Sequence, residues 1–184
     1  MSERIMVLLG TVREERMGKA FADWLMTELK KMNSSCSFEL VDLKEIDLPL
    51  MNEPVPPLLG KPYAFEHSRK WSELVKSFDG YIFLTAEYNH GYTAILKNAL
   101  DYLYTEWVGK PAAFVGYGGS GAERAIRQLW QVIDVLGMRR VHATVSISNA
   151  WEAFREDGTI NEKCVKGSIS DLVKDIEARL KSGV

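Results

Sequence analysis

Cysteine and histidine are scarce in this chain of 184 residues: Cys36 and Cys164 are its thiols, and His67, His90 and His142 its imidazoles. Two cysteines outside any CxxC exclude a disulfide framework and read as reduced thiols of a cytoplasmic protein. No histidine stands at ligand spacing from a cysteine, so no zinc site is expected and no residue is assigned to a metal. An excess of charge of one sign is also lacking, since 23 Lys and Arg oppose 25 Asp and Glu for a net charge of −2. This balance excludes a general basic surface for nucleic acid and the strong acidity of a carrier that docks basic redox partners. Long apolar runs are missing too. Ile5 to Leu9 is too short and wrongly flanked for a signal peptide, and nothing approaches the roughly 18 apolar residues of a membrane span.

What is present is ordinary globular composition, 46% apolar and 26% charged, without repeats or low-complexity segments. The length suits a single domain over residues 1–184. Apolar runs at Ile5–Gly10, Phe38–Leu43, Gly80–Thr85, Pro111–Tyr117 and Val141–Ile147 read as strands. Helical spacing predicts helices over Lys19–Lys31, Phe65–Ser77, Thr93–Trp107, Glu123–Leu136 and Glu162–Lys181. The proline-rich stretch Asp47–Lys61 reads as a loop. Five strands alternating with helices indicate an α/β fold with a parallel sheet covered on both faces. In such sheets a ligand sits beyond the carboxyl ends of the strands, which directs attention to the turns after strands one, three and four.

The first turn, Gly10-Thr11-Val12-Arg13-Glu14-Glu15-Arg16-Met17-Gly18, leads into a helix amino end, where unpaired N–H groups attract phosphate. Thr11, Arg13 and Arg16 add donors, provided that Glu14 and Glu15 point outward. No Walker spacing is present, so this is not a P-loop. The second turn, Thr85 to Tyr92, sets Glu87, Tyr88, Asn89 and Tyr92 beside a glycine, a combination suited to a planar heterocycle. The third, Gly116-Tyr117-Gly118-Gly119-Ser120-Gly121, matches GxGxxG formally. The acidic residue that a dinucleotide fingerprint needs at the end of the next strand is missing from Val141 to Ala150, so a classical NAD fold is rejected. Four glycines in six residues still imply close approach of backbone to a ligand.

Together these segments resemble the NADPH-dependent FMN reductase family, which includes flavin-dependent quinone and azo-dye reductases. The likeness rests on Gly10-Thr11-Val12-Arg13 with Arg16, on Ala86-Glu87-Tyr88-Asn89 followed by Leu96-Lys97-Asn98-Ala99-Leu100-Asp101, and on Gly109-Lys110-Pro111 with Tyr117 to Gly121. This sequence departs from the family at Ala86 and Thr93, where prolines are usual, and at Glu14-Glu15, where Pro-Gly is frequent. Ala122-Glu123 replaces a glycine and a small residue, which implies less space over a bound ring.

The resemblance implies a flavodoxin-like doubly wound sheet of five parallel strands in the order 2-1-3-4-5. It implies non-covalent FMN, with Thr11, Arg13, Arg16, Met17 and Gly18 around its phosphate. Ala86, Glu87, Tyr88 and Asn89 would line the ring and ribityl chain, with Tyr117, Gly118, Gly119 and Ser120 on the other side. The implied activity is hydride transfer from NADPH or NADH to the flavin and on to a quinone, azo compound, free flavin or similar small acceptor. No side chain is assigned as catalytic. The alternative is a flavodoxin-type electron carrier without NADPH turnover. A homodimer or homotetramer is also implied, and Ile95, Tyr102 and Tyr104 are either plain packing or a face toward a second subunit.

Overall fold

A computed structural model describes residues 2–182. Its strands are β1 (Arg4–Leu9), β2 (Ser37–Asp42), β3 (Gly80–Ala86), β4 (Pro111–Tyr117), β5 (Arg139–Ile147) and β6 (Val165–Lys166). Its helices are α1 (Gly18–Lys31), α2 (Leu43–Ile46), α3 (Glu66–Lys76), α4 (Ala94–Asp101), α5 (Glu123–Val135) and α6 (Ile169–Lys181). They build one sheet of order β2-β1-β3-β4-β5-β6. The first five strands are parallel, as the sequence implies, and β6 is antiparallel to β5.

Every residue of β3 and β4 is buried, the pattern of strands covered on both faces. Alternate side chains feed two cores. Val7, Leu9, Ile82 and Val115 meet Phe21 and Leu25 of α1 and Leu172 and Ile176 of α6. Met6, Leu8, Tyr81, Phe83 and Phe114 meet Trp71 of α3, Leu100 of α4 and Leu129 of α5. Each large side chain so buried contributes about 1.5–3 kcal/mol.

The structure corrects the expected five strands to six. The helix expected from Glu162 begins only at Ile169, and the chain before it forms a 3₁₀ turn and then β6. Gly167 explains the break: its φ is +95°, and a Cβ there would run into the Thr144 carbonyl. The expected helix Thr93–Trp107 is regular only to Asp101. Beyond it the buried Glu106 carboxylate accepts from the Tyr104 amide at 3.3 Å and from Ser72 Oγ at 2.6 Å, which draws the chain off the helical path. Tyr102 is buried, with its hydroxyl donating toward the Pro49 and Leu50 carbonyls, each at 3.2 Å, so its role is to dock the proline-rich loop. Asn98 grips the same loop, donating to Pro49 O at 2.7 Å and accepting from Met51 N at 2.8 Å.

Candidate cofactor site

The three turns singled out by sequence lie along one rim of the sheet and are bonded to one another. Gly10 N donates to Leu84 O at 2.8 Å, which ties the first turn to β3. Thr93 Oγ1 donates to Gly10 O and accepts from Leu96 N at 3.4 Å. One threonine thus caps α4 and joins the first turn to the second, where the family would place a proline. Glu87 N donates to Tyr117 O at 3.0 Å, joining the second turn to the third.

The amino end of α1 is bare. Met17 occupies its cap position without a capping side-chain bond, and the first turn carries no acidic residue. Among the described residues the amides from Thr11 to Gly18 donate no hydrogen bond. Such a helix end presents partial positive charge and unpaired donors. Thr11 is buried beside it, with its hydroxyl accepting from Tyr117 OH at 3.5 Å. Gly18 permits this approach, because a Cβ there would press on Thr11 Oγ1 and lie 2.6 Å from Tyr117 OH.

Arg16 is buried at this end, its side chain 9% exposed, and is ion-paired through Nη2 with Asp42 at the end of β2. Its Nε and Nη1 are buried without a partner. Unmet buried donors cost about 1–3 kcal/mol each, so an anion at this position is strongly favoured. Arg13 is exposed and lies over the Tyr88 ring at 5.7 Å. Glu14 points outward, 86% exposed and paired with Lys44 at 2.8 Å; that hydrogen bond holds its carboxyl below the usual range. Glu15 is exposed as well.

Tyr117 packs against Phe21 with ring centroids 4.6 Å apart, and its hydroxyl reaches the first turn. Burial pushes its pKa up to about 12. Its side chain therefore belongs to the Thr11–Arg16 end of the rim, not to the third turn that carries its backbone.

The second turn is a two-residue hairpin. Tyr88 and Gly91 exchange backbone bonds of 2.9 and 3.0 Å around Asn89 and His90, whose φ values are +49° and +68°. Gln128 Nε2 braces it from α5 by donating to His90 O at 3.0 Å. Ala86 is buried at the end of β3, and Tyr88 and Asn89 are exposed. The Glu87 carboxylate accepts from Arg124 N at 3.1 Å and Ala125 N at 3.3 Å. It caps α5, because the residue at the cap position is Ala122, which has no side-chain oxygen to offer.

In the third turn Gly118 N is committed to Ile147 O at 3.1 Å. Among the described residues the Gly119 and Ser120 amides donate no bond, so two exposed turn amides remain available to a ligand. Ala122 turns inward: it is fully buried, and a Cβ on Gly116 would lie 2.7 Å from its own. It does not narrow the rim as its identity had implied. Segment 148–152 clamps the turn from beyond β5, with Asn149 N and Ala150 N donating at 3.3 Å to Gly119 O and Gly118 O. The Trp151 ring lies 3.4 Å from the position of a Cβ on Gly119 and is 66% exposed. Sequence reasoning overlooked Trp151 and Asp42. The first sits after a strand read only for acidic residues, and the second is identified by an ion pair from the first turn to the end of β2.

Comparison with known proteins extends this picture. The sequence matches the family described as NADPH-dependent FMN reductase over residues 4–152. An NAD(P)H-dependent FMN reductase of Schizosaccharomyces pombe is 42% identical over 137 residues, covering 74% of this chain and 68% of the relative. The NAD(P)H-dependent FMN reductase ntnL of a Nectria species is 34% identical, covering 95% of this chain and 94% of its own. A quinone reductase of Pseudomonas putida is 31% identical, covering 86% and 85%. Among solved structures the flavoenzyme FerB of Paracoccus denitrificans superposes with a TM-score of 0.69 at 24% identity, covering 97% of this chain and 96% of FerB, a likeness of fold. The matched span contains all three turns of the rim, and the chain belongs to the NADPH-dependent FMN reductase family.

Proposed function

We propose that this chain, as one domain, is an FMN-dependent NAD(P)H oxidoreductase. It takes hydride from NADPH or NADH and passes it to a small acceptor such as a quinone, an azo compound or free flavin. One observation carries the assignment: a bare α1 amino end faced by the buried hydroxyl of Thr11 and by an Arg16 with two unpartnered nitrogens. This donor set suits a phosphate monoester and leaves little for a neutral ligand.

In this reading the Thr11 hydroxyl, the Arg13 and Arg16 guanidinia and the amides up to Met17 and Gly18 hold the FMN phosphate. The backbone of Ala86, Glu87, Tyr88 and Asn89 lines one side of the ring, and Gly118, Gly119 and Ser120 line the other. Bound FMN supplies the electron chemistry, and the protein supplies position and electrostatics. The Gly119 and Ser120 amides favour an electron-rich ring edge, as fixed donors do where negative charge develops. No side chain needs to move a proton in the first half-reaction.

The acceptor range rests on relatives named quinone reductase and, at 28% identity in a Bacillus strain, NADPH azoreductase. Steady-state NADPH oxidation with a quinone tests the proposal; an electron carrier would bind FMN without such turnover. A cytoplasmic setting, where Cys36 and Cys164 stay as free thiols, belongs to the same proposal. So does self-association as a homodimer or homotetramer, supported by Leu50, Leu58 and Leu59 on the proline-rich loop, 83%, 61% and 61% exposed. Light scattering of wild type against Leu58→Glu/Leu59→Glu tests it.

A further inference from the structure

Two neighbouring cavities run along the outer side of α5, starting at the third turn. The first, about 190 Å³, is lined by Ser120, Glu87, Glu123, Arg124 and Arg127. The second, about 420 Å³, shares Glu123 and Arg127 with it and continues past Ile126 and Trp130 to Lys166.

The charges along this groove are unequally used. Glu87 is engaged by two α5 amides, and Glu123 is paired with Lys166 at 2.7 Å. Arg124 and Arg127 keep only loose ion pairs, at 3.6 Å to Glu87 and 3.9 Å to Glu123. Among the described residues neither guanidinium donates a hydrogen bond. Two forked donors therefore face a small cavity beside the Ser120 hydroxyl, which suits a phosphate ester. The second cavity is bordered by Ile126 and by the Trp130 indole, over which Arg140 stacks at 4.7 Å. A space walled by Ile126 and an indole, with the Thr144 and Ser146 side chains also lining it, next to a cleft that carries two arginines, suits a nucleoside phosphate.

We propose that this groove seats the adenosine-phosphate half of the nicotinamide reductant, with Arg124 and Arg127 on its phosphates and Ile126 and Trp130 beside its purine. The inference rests on the oxidoreductase reading, in which the nicotinamide end lies at the Gly119–Ser120 turn that opens the groove. It also supplies basic residues for the reductant, which sequence alone could not assign.

The test is calorimetric titration of the FMN-loaded protein with 2′,5′-ADP and with ADP. It uses wild type, Arg124→Ala/Arg127→Ala and a remote charge control, Lys70→Ala/Lys174→Ala. Both arginines are more than half exposed, so their loss leaves the fold intact. The double arginine variant is expected to bind 2′,5′-ADP at least about ten- to a hundredfold more weakly, the loss of one charge-assisted contact or more, while the control matches wild type. Weakening of 2′,5′-ADP alone places the 2′-phosphate on the arginines, and equal weakening of ADP places the diphosphate there. Equal affinities in wild type and the arginine variant, or no binding to wild type, overturn the proposal. In parallel, the arginine variant should show a raised KM for NADPH but unchanged turnover with N-benzyl-dihydronicotinamide, which has neither phosphate nor purine. If wild type oxidises neither donor, the oxidoreductase reading itself fails, and the titration still reports on the groove.

Discussion

Arg13→Ala separates ligand binding from folding more cleanly than any other change at the rim. Arg13 is exposed and forms no ion pair among the described residues; its guanidinium lies over the Tyr88 ring at 5.7 Å. An exposed contact of that kind contributes about 0.5–1 kcal/mol, which for a chain of this size corresponds to about 1–4 °C in Tm. A charge-assisted bond to a phosphate oxygen contributes about 1.5–3 kcal/mol, so its loss raises the Kd for FMN roughly ten- to a hundredfold. Riboflavin has the same ring and ribityl chain without the phosphate. Fluorescence titration of the apoprotein should therefore show FMN affinity falling in the variant and riboflavin affinity holding, with the FMN difference shrinking as salt is added. A folded variant that binds FMN as wild type does, or that loses riboflavin equally, would refute the placement of the phosphate.

Three further outcomes follow from the same geometry. Gly119→Val should fold normally, because a Cβ there meets only the Trp151 rim at 3.4 and 3.7 Å, yet purify without flavin; a yellow variant with normal turnover contradicts close approach of a ligand to this turn. Asp42→Asn retains an acceptor for Lys44 N but leaves the buried Arg16 charge without its counter-ion, costing the apoprotein about 3–5 kcal/mol. Added FMN should then raise Tm more in the variant than in wild type, and an equal shift would show that Arg16 does not meet the phosphate. For Glu106, burial raises the carboxyl pKa, but bonds from Ser72 and Tyr63 outweigh it and hold the value below the ordinary 4.5. A depressed folded pKa contributes stability that is present above pH 4.5 and lost as pH falls through the folded value. Urea unfolding should show wild type losing stability below that pH more steeply than Glu106→Gln, and parallel pH dependence would contradict it.

The central strands were legible because burial on both faces makes them continuous apolar runs, as in β3 and β4. The site turns were legible for a related reason: polar and glycine-rich residues directly after such runs have no packing role to explain them. What stayed hidden depends on contacts between distant segments. Val165 and Ile169 continue a helical spacing into α6, and only the clash at Gly167 with Thr144 shows why the helix cannot start earlier. Arg16 reads as a simple phosphate ligand until Asp42, 26 positions away at the end of β2, is seen holding it. Glu87 reads as part of a ring pocket, whereas its carboxylate caps α5 because Ala122 cannot. Tyr117 reads as a neighbour of the glycines, but alternation along β4 sends its hydroxyl to Thr11.

The most direct measurement is a visible spectrum of the purified protein after addition of FMN and gel filtration, followed by anaerobic NADPH or NADH. A retained band at about 450 nm that bleaches on addition of the nicotinamide is the expected result. Protein that emerges colourless, or yellow protein that either nicotinamide leaves unbleached, would contradict the account.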